Sequence, residues 1–246
     1  MLIAAAVCPH PPLLVPEATG ASGPGDAELE RLRTACHQAV AALLDQSPDL
    51  LVVVGANPRG RHPTEFPPDA AGSLHAFGVP FTVGGAGRPG PPALPLSLTI
   101  GRWLLARAAT RPAAPRVAFW GVAPDAATAE CLDLGEKLAT LAPRVGLLAM
   151  GDGPGCRARG VPGAADPRAD RYDEQVAACL AAADPAALAA LDPGHDRRLL
   201  IAGRAAWQVL AGAAARDAFD ADLRYWAAPF EVTYFVASWR RRARAA

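Results

Sequence analysis

The sequence predicts an α/β protein of one domain, with a mixed, largely parallel central sheet and helices on both of its faces. Three observations carry this. Four short apolar runs, at residues 2–7, 50–54, 117–121 and 145–150, have the length and the Pro, Gly or Asp flanks of buried strands. Stretches with apolar residues three and four apart stand between them, so strand and helix alternate as βαβ crossovers require. The chain has 246 residues, enough to bury a substantial core without disulfides or metals to staple it.

After the first run, Leu29, Leu32, Cys36, Val40 and Leu43 form one apolar stripe on a helix over residues 26–44, about five turns long. That helix returns the chain to the second strand. Residues 57–95 are crowded with Pro and Gly and predict a long loop system with a short strand around 79–83. Helices over 96–109 and 126–141 precede the third and fourth strands. Beyond a glycine-rich stretch, helices are predicted at 170–183, after Asp184-Pro185, and at 196–214. Asp-Pro at 184–185 and 192–193 reads as helix initiation, with Asp as the cap and Pro in the first turn. Residues 230–239 alternate as a last strand. The domain is expected to span 1–239, with 240–246 as a basic tail.

Composition excludes several classes of function. The chain is 51% hydrophobic and 20% charged, and its 24 basic residues balance 24 acidic ones. A neutral chain has no global pull toward nucleic acid or anionic lipid. Lys137 is the only lysine, which reads as compositional bias. The five cysteines are scattered and form no CxxC pair, which speaks against a structural zinc or a secreted disulfide framework and for a reducing cytoplasm. The apolar start lacks a basic flank and runs into Pro9, Pro11 and Pro12, which suits a strand better than a signal peptide. No apolar stretch reaches the roughly 18–20 residues of a membrane helix.

Candidate chemistry is sought where loops leave the carboxyl ends of the strands. His10 follows the first strand in Cys8-Pro-His-Pro-Pro12, with prolines on both sides to stiffen it. It can ligate a metal or act as acid or base, or be a turn histidine. Asn57 follows the second strand, where it can orient a substrate through its amide or simply form the turn before Pro58. His62 and His75 lie farther along that loop and can fold back as a metal ligand and a catalytic group, or stay on the surface. The fourth strand ends in Met150-Gly-Asp-Gly-Pro-Gly-Cys-Arg157, which puts Asp152, Cys156 and Arg157 at the same edge. Arg157 with Arg159 suits an anion or substrate, and Cys156 beside arginine is a candidate activated thiol. This turn is neither a P-loop nor a dinucleotide fingerprint, and there is no Gly-x-Ser-x-Gly elbow. His37 and His195 fall in helical stretches and read as structural.

Taken in order, the N-terminal strand entering Pro9-His10-Pro11, Pro48-Asp49 before the strand ending at Asn57, His75-Ala-Phe-Gly-Val-Pro80, Met150-Gly-Asp152 and Tyr172-Asp173 resemble the class III extradiol ring-cleavage dioxygenase superfamily, B-subunit type. The resemblance runs from His10 to Val209-Leu-Ala-Gly212. It implies the B-subunit-like fold of that superfamily, an oxidoreductase acting on a small aromatic substrate, and non-heme Fe(II) held by two His and a carboxylate, with another His as acid or base. His10 matches the first ligand. The second falls on Asn57, the acid/base His at Gly155 or Cys156, and the late helical ligand near residues 201–203, where no metal-binding side chain stands.

The expectation is therefore a divergent member with a rearranged site around His10, Asn57, Asp152 and Cys156, completed by His62 or His75. Fe(II), another divalent metal or no metal fits this reading equally, and catechol turnover is expected to be weak or absent. The alternatives are a metal-free small-molecule-binding protein and a noncatalytic scaffold that docks a partner. A homodimer is expected by analogy alone.

Overall fold

The computed structural model describes residues 1–19, 26–85, 93–108, 115–156 and 166–243. The strands are β1 (Leu2–Cys8), β2 (Leu50–Ala56), β3 (Thr64–Phe66), β4 (Gly72–Ser73), β5 (Thr82–Val83), β6 (Arg116–Val122), β7 (Val145–Met150), β8 (Phe219–Ala227) and β9 (Tyr234–Arg241). The helices are α1 (Asp26–Asp45), α2 (Leu96–Ala108), α3 (Thr128–Ala139), α4 (Arg168–Ala182), α5 (Pro185–Ala189), α6 (Asp196–Leu199) and α7 (Arg204–Ala214). Seven strands form one sheet in the order β3-β6-β2-β7-β1-β9-β8, and β4 pairs with β5 apart from it. The inner four, β6, β2, β7 and β1, run parallel, while β9, β8 and β3 are antiparallel to their neighbours. The result is a single-domain α/β fold on a mixed, mostly parallel sheet.

Every residue of β1, β2 and β7 is buried, as strands covered on both faces must be. On one face, Leu32, Cys36, Val40 and Leu43 of α1 and Leu98, Ile100 and Leu104 of α2 pack on Ala6, Cys8, Val53, Leu148, Met150 and Val236. On the other, α3, α4, α5 and α7 pack on Val7, Val54, Leu147, Ala149 and Phe235. The alternation slips once: Ile3 and Ala4 both face α1, because β1 carries an irregularity between Leu2 and Ala4 against Val145 and Gly146. All eleven residues of α7 are buried, since it lies between the sheet and α3. Its two polar members are satisfied internally. Arg204 donates to Asp196 Oδ2, to Gln208 Oε1 and to the carbonyls of Pro124 and Ala126, and Gln208 donates to the carbonyls of Ala189 and Leu191.

Several expectations change. The helix expected at 196–214 is two, because Leu200 takes a left-handed conformation (φ 54°) that ends α6, and α7 restarts after Gly203. Strand β8 is not among the expected strands, although Asp220, Asp222 and Arg224 alternate with Phe219, Ala221 and Leu223; it pairs along its length with β9. The last strand begins at Tyr234 rather than at residue 230 and continues through Arg241. Of the basic segment, residues 240–243 are described: Arg240 and Arg242 pair with Asp220, and Arg241 with Asp217. Asp184 caps α5 through the N–H of Ala187 as expected, whereas Asp192 caps only a single 3₁₀ turn at Pro193–His195. Among the described residues, no helix is long and apolar enough to cross a membrane.

Candidate functional site

The loops after β1 and β7 leave adjacent parallel strands toward opposite faces of the sheet. Leu14 packs with α1, whereas Tyr172 of α4 packs on the other side. His10 and Asp152 stand at the carboxyl ends of these strands, where open α/β sheets bind ligands. The turn after β7 continues the ladder for one residue, with Gly151 N–H donating to Cys8 O at 2.9 Å. It is then clamped from two sides: Ala202 N–H donates to Asp152 O at 3.2 Å, and Gly153 N–H donates to Thr233 O at 2.8 Å.

Glycine is required at two positions of this turn by close approach. A Cβ on Gly151 would lie 2.5 Å from Gly203 Cα, and one on Gly153 would lie 2.8 Å from Phe235 Cε2. Both glycines face the α7 side, so the intervening Asp152 projects to the α1 side, continuing the pleat of β7. There its Oδ1 accepts the backbone N–H of His10 at 2.7 Å and lies 3.6 Å from His10 Nδ1. The His10 side chain is 7% exposed, and its Nδ1 has no hydrogen-bond partner among the described residues. The Asp152 carboxylate also reaches inward. With burial as the larger cause, it pushes the Tyr234 phenol above the usual tyrosine value. The buried Cys36 thiol is raised chiefly by burial, then by the adjacent Cys8 thiol and by Asp152.

The other candidates go elsewhere. Asn57 is buried, but its Oδ1 accepts the N–H of Arg59 at 3.3 Å and its side chain packs against Gly121 and Gly60, as a turn-forming Asn does. His62 has an 87% exposed side chain 3.7 Å from Glu130 Oε1 of α3, on the face opposite His10. His75 is exposed in a 3₁₀ turn, where its N–H meets Ser73 Oγ. Cys156 is half-buried against the α3/α4 core, again on the opposite face. Arg157 and Arg159 lie outside the described residues.

The position of the late ligand in the resemblance, residues 201–203, does meet the site, since Ala202 bonds the Asp152 backbone; Ile201, Ala202 and Gly203 bring no donor side chain to it. The side chains outside the described ones include no His, Cys or Glu and, of the aspartates, Asp26 alone, and no group of three such side chains suited to a metal exists among the described residues. A facial iron shell needs two imidazoles and a carboxylate. His10 and Asp152 are one of each, and the residues present do not fit Fe(II).

Tyr234 is a site neighbour that sequence reasoning misses. It sits in an apolar, alternating strand and reads there as an ordinary core aromatic. Only the register of β9 against β1 reveals its neighbourhood.

No family model matches the chain, and no curated protein is similar to it. Among solved structures, it is similar to the crystal structure of the uncharacterized protein JW3007 from Escherichia coli K12, with a TM-score of 0.50 and 13% identity over 96% of this chain and 99% of that one. At that identity the likeness concerns the fold, and a single α/β domain is what the two chains share.

Proposed function

We propose that the chain is a divergent protein of the class III extradiol dioxygenase superfamily, B-subunit type, that binds a small molecule at His10 and Asp152 without iron. The observation that carries the reading is the buried His10 Nδ1, left without a hydrogen-bond partner 3.6 Å from a carboxylate oxygen. A buried polar atom without a partner costs about 1–3 kcal/mol, and this one stands at the carboxyl ends of the strands, where a ligand can supply the partner. Asp152 holds the His10 backbone and its Oδ1 lies beside the unpartnered Nδ1, so one ligand group can meet both. The dyad can thus exchange a proton with a ligand, or hydrogen-bond it, with the protein's own groups alone.

The test is the metal content of untagged protein, as isolated and after anaerobic Fe(II) loading, beside His10→Ala, followed by oxygen uptake with catechol. Iron well below one equivalent and no ring cleavage are expected in both proteins. Near-stoichiometric iron that His10→Ala removes, together with cleavage, would overturn the proposal and restore a metal-dependent oxidoreductase.

A further inference from the structure

We infer that Tyr234 completes this site as the hydrogen-bond donor that holds an oxygen of the ligand, an inference that rests on the reading of His10 and Asp152 as a small-molecule site. The register places it there. β1 pairs antiparallel with β9, Ala4 opposite Arg240 through Val7 opposite Ala237, so each residue forward on β1 is one back on β9. Continued three residues past Val7, the same register sets His10 opposite Tyr234 at the spacing of neighbouring strands, about 4.5–5.5 Å between Cα atoms.

The side-chain directions agree. Cys8, Met150, Tyr234 and Val236 face the α1/α2 side, whereas Val7, Ala149, Phe235 and Ala237 face α7. By the same alternation His10 and Asp152 project to the α1 side with Tyr234. Tyr234 is further fixed by the residue before it, because Thr233 exchanges backbone hydrogen bonds with Gly153 and Pro154, the two residues after Asp152. Three adjacent strand ends therefore deliver an imidazole, a carboxylate and a phenol to one spot.

The chemistry of that spot selects a ligand class. Burial and the neighbouring carboxylate keep the Tyr234 phenol protonated, hence a donor, well past neutral pH. Asp152 disfavours a second negative charge beside it. Cys8, Met150 and Leu14 are buried core beneath it on the same face. The site suits a neutral small molecule bearing a hydroxyl or carbonyl oxygen.

The test is NMR titration of the full chain, labelled with ¹³C at the tyrosine ring, with phenol and, as the control without an oxygen, toluene, in wild type, Tyr234→Phe and His10→Gln. Expected is a Tyr234 signal that moves with phenol, phenol binding weakened about 3- to 10-fold by Tyr234→Phe, and equal toluene binding by wild type and Tyr234→Phe. Phenol binding weakened by His10→Gln but unchanged by Tyr234→Phe would overturn the role of Tyr234 and leave the site standing. Phenol binding that is absent, or indifferent to both substitutions, would overturn the site and this inference together.

Discussion

Gly212→Ala adds one methyl group where two helices touch backbone to backbone. A Cβ at Gly212 would lie 2.2 Å from Leu132 O and 2.7 Å from Leu132 Cα, against 3.4–4 Å for ordinary contact. The approach is reciprocal: a Cβ at Gly135 would lie 2.1 Å from Val209 O and 2.6 Å from Ala213 N. Because the obstructing atoms are backbone, no rotamer change relieves the clash. α3 and α7 must part by about an ångström, losing contact along their shared length, and overpacking of this kind costs typically about 1–3 kcal/mol and occasionally more. Alanine's higher helix propensity returns about 1 kcal/mol. Because the clash is with backbone on both helices, the upper end of that range applies and the expected balance is a loss of about 2 kcal/mol, a large share of a stability in the usual range of roughly 5–15 kcal/mol. In urea unfolding followed by circular dichroism, the midpoint should fall with the slope unchanged. Since α7 starts at the Gly203 that abuts Gly151, the His10 ring resonances should shift as well. A midpoint that stays put or rises would show that propensity dominates and that the close approach of α3 and α7 is wrong.

Two further outcomes follow from buried charge. Arg204→Met should cost about 3–5 kcal/mol, because it strands the buried Asp196 and leaves several acceptors unmet. Burial already raises the Asp196 pKa above its usual value while Arg204 holds it down. Without the guanidinium the folded-state pKa climbs further, so the penalty grows as pH rises from about 4 through that value; unfolding at pH 4 and pH 7 should show the larger loss at pH 7, and a pH-independent loss would refute this. The phenols of Tyr172 and Tyr234 are both raised, chiefly by burial. Their contribution is complete below the unfolded tyrosine value near 10 and is lost above it, so stability should fall by up to about 1.4 kcal/mol per pH unit for each group, and Tyr172→Phe should remove one group's share. An unchanged alkaline slope in that variant would contradict the burial of its hydroxyl.

The parallel core was legible because buried strands and amphipathic helices announce themselves by period, as the stripe from Leu29 to Leu43 does. The last quarter was less so. Leu200 carries no signal that it will adopt a left-handed turn, whereas the alternation of Asp220, Asp222 and Arg224 with Phe219, Ala221 and Leu223 does signal β8, in a run too charged to stand out. At the site, His10 and Asp152 could be placed because both follow strands in short turns. Asn57 shared that position, but its side chain caps its own loop, a choice made by the local turn geometry. His62 and His75 sit in a loop long enough to reach many places, and residue type does not determine where a loop goes. Tyr234 comes near His10 because β9 pairs with β1 at the far end of the sequence, which no local pattern encodes.

The placement of β7 between β1 and β2 has a consequence for how the chain is made. Strand β1 finds its parallel partner only when residues 145–150 exist, and the 2.7 Å hydrogen bond from His10 to Asp152 spans 142 positions. During synthesis, the facing edges of β1 and β2 therefore wait unpaired until more than half the chain has been translated. Such long-range closure slows folding and leaves apolar strand edges open to other chains. A nascent chain stalled before Val145 should engage holding chaperones, and release should coincide with the emergence of the strand that joins the two halves of the sheet and, with it, the two halves of the site.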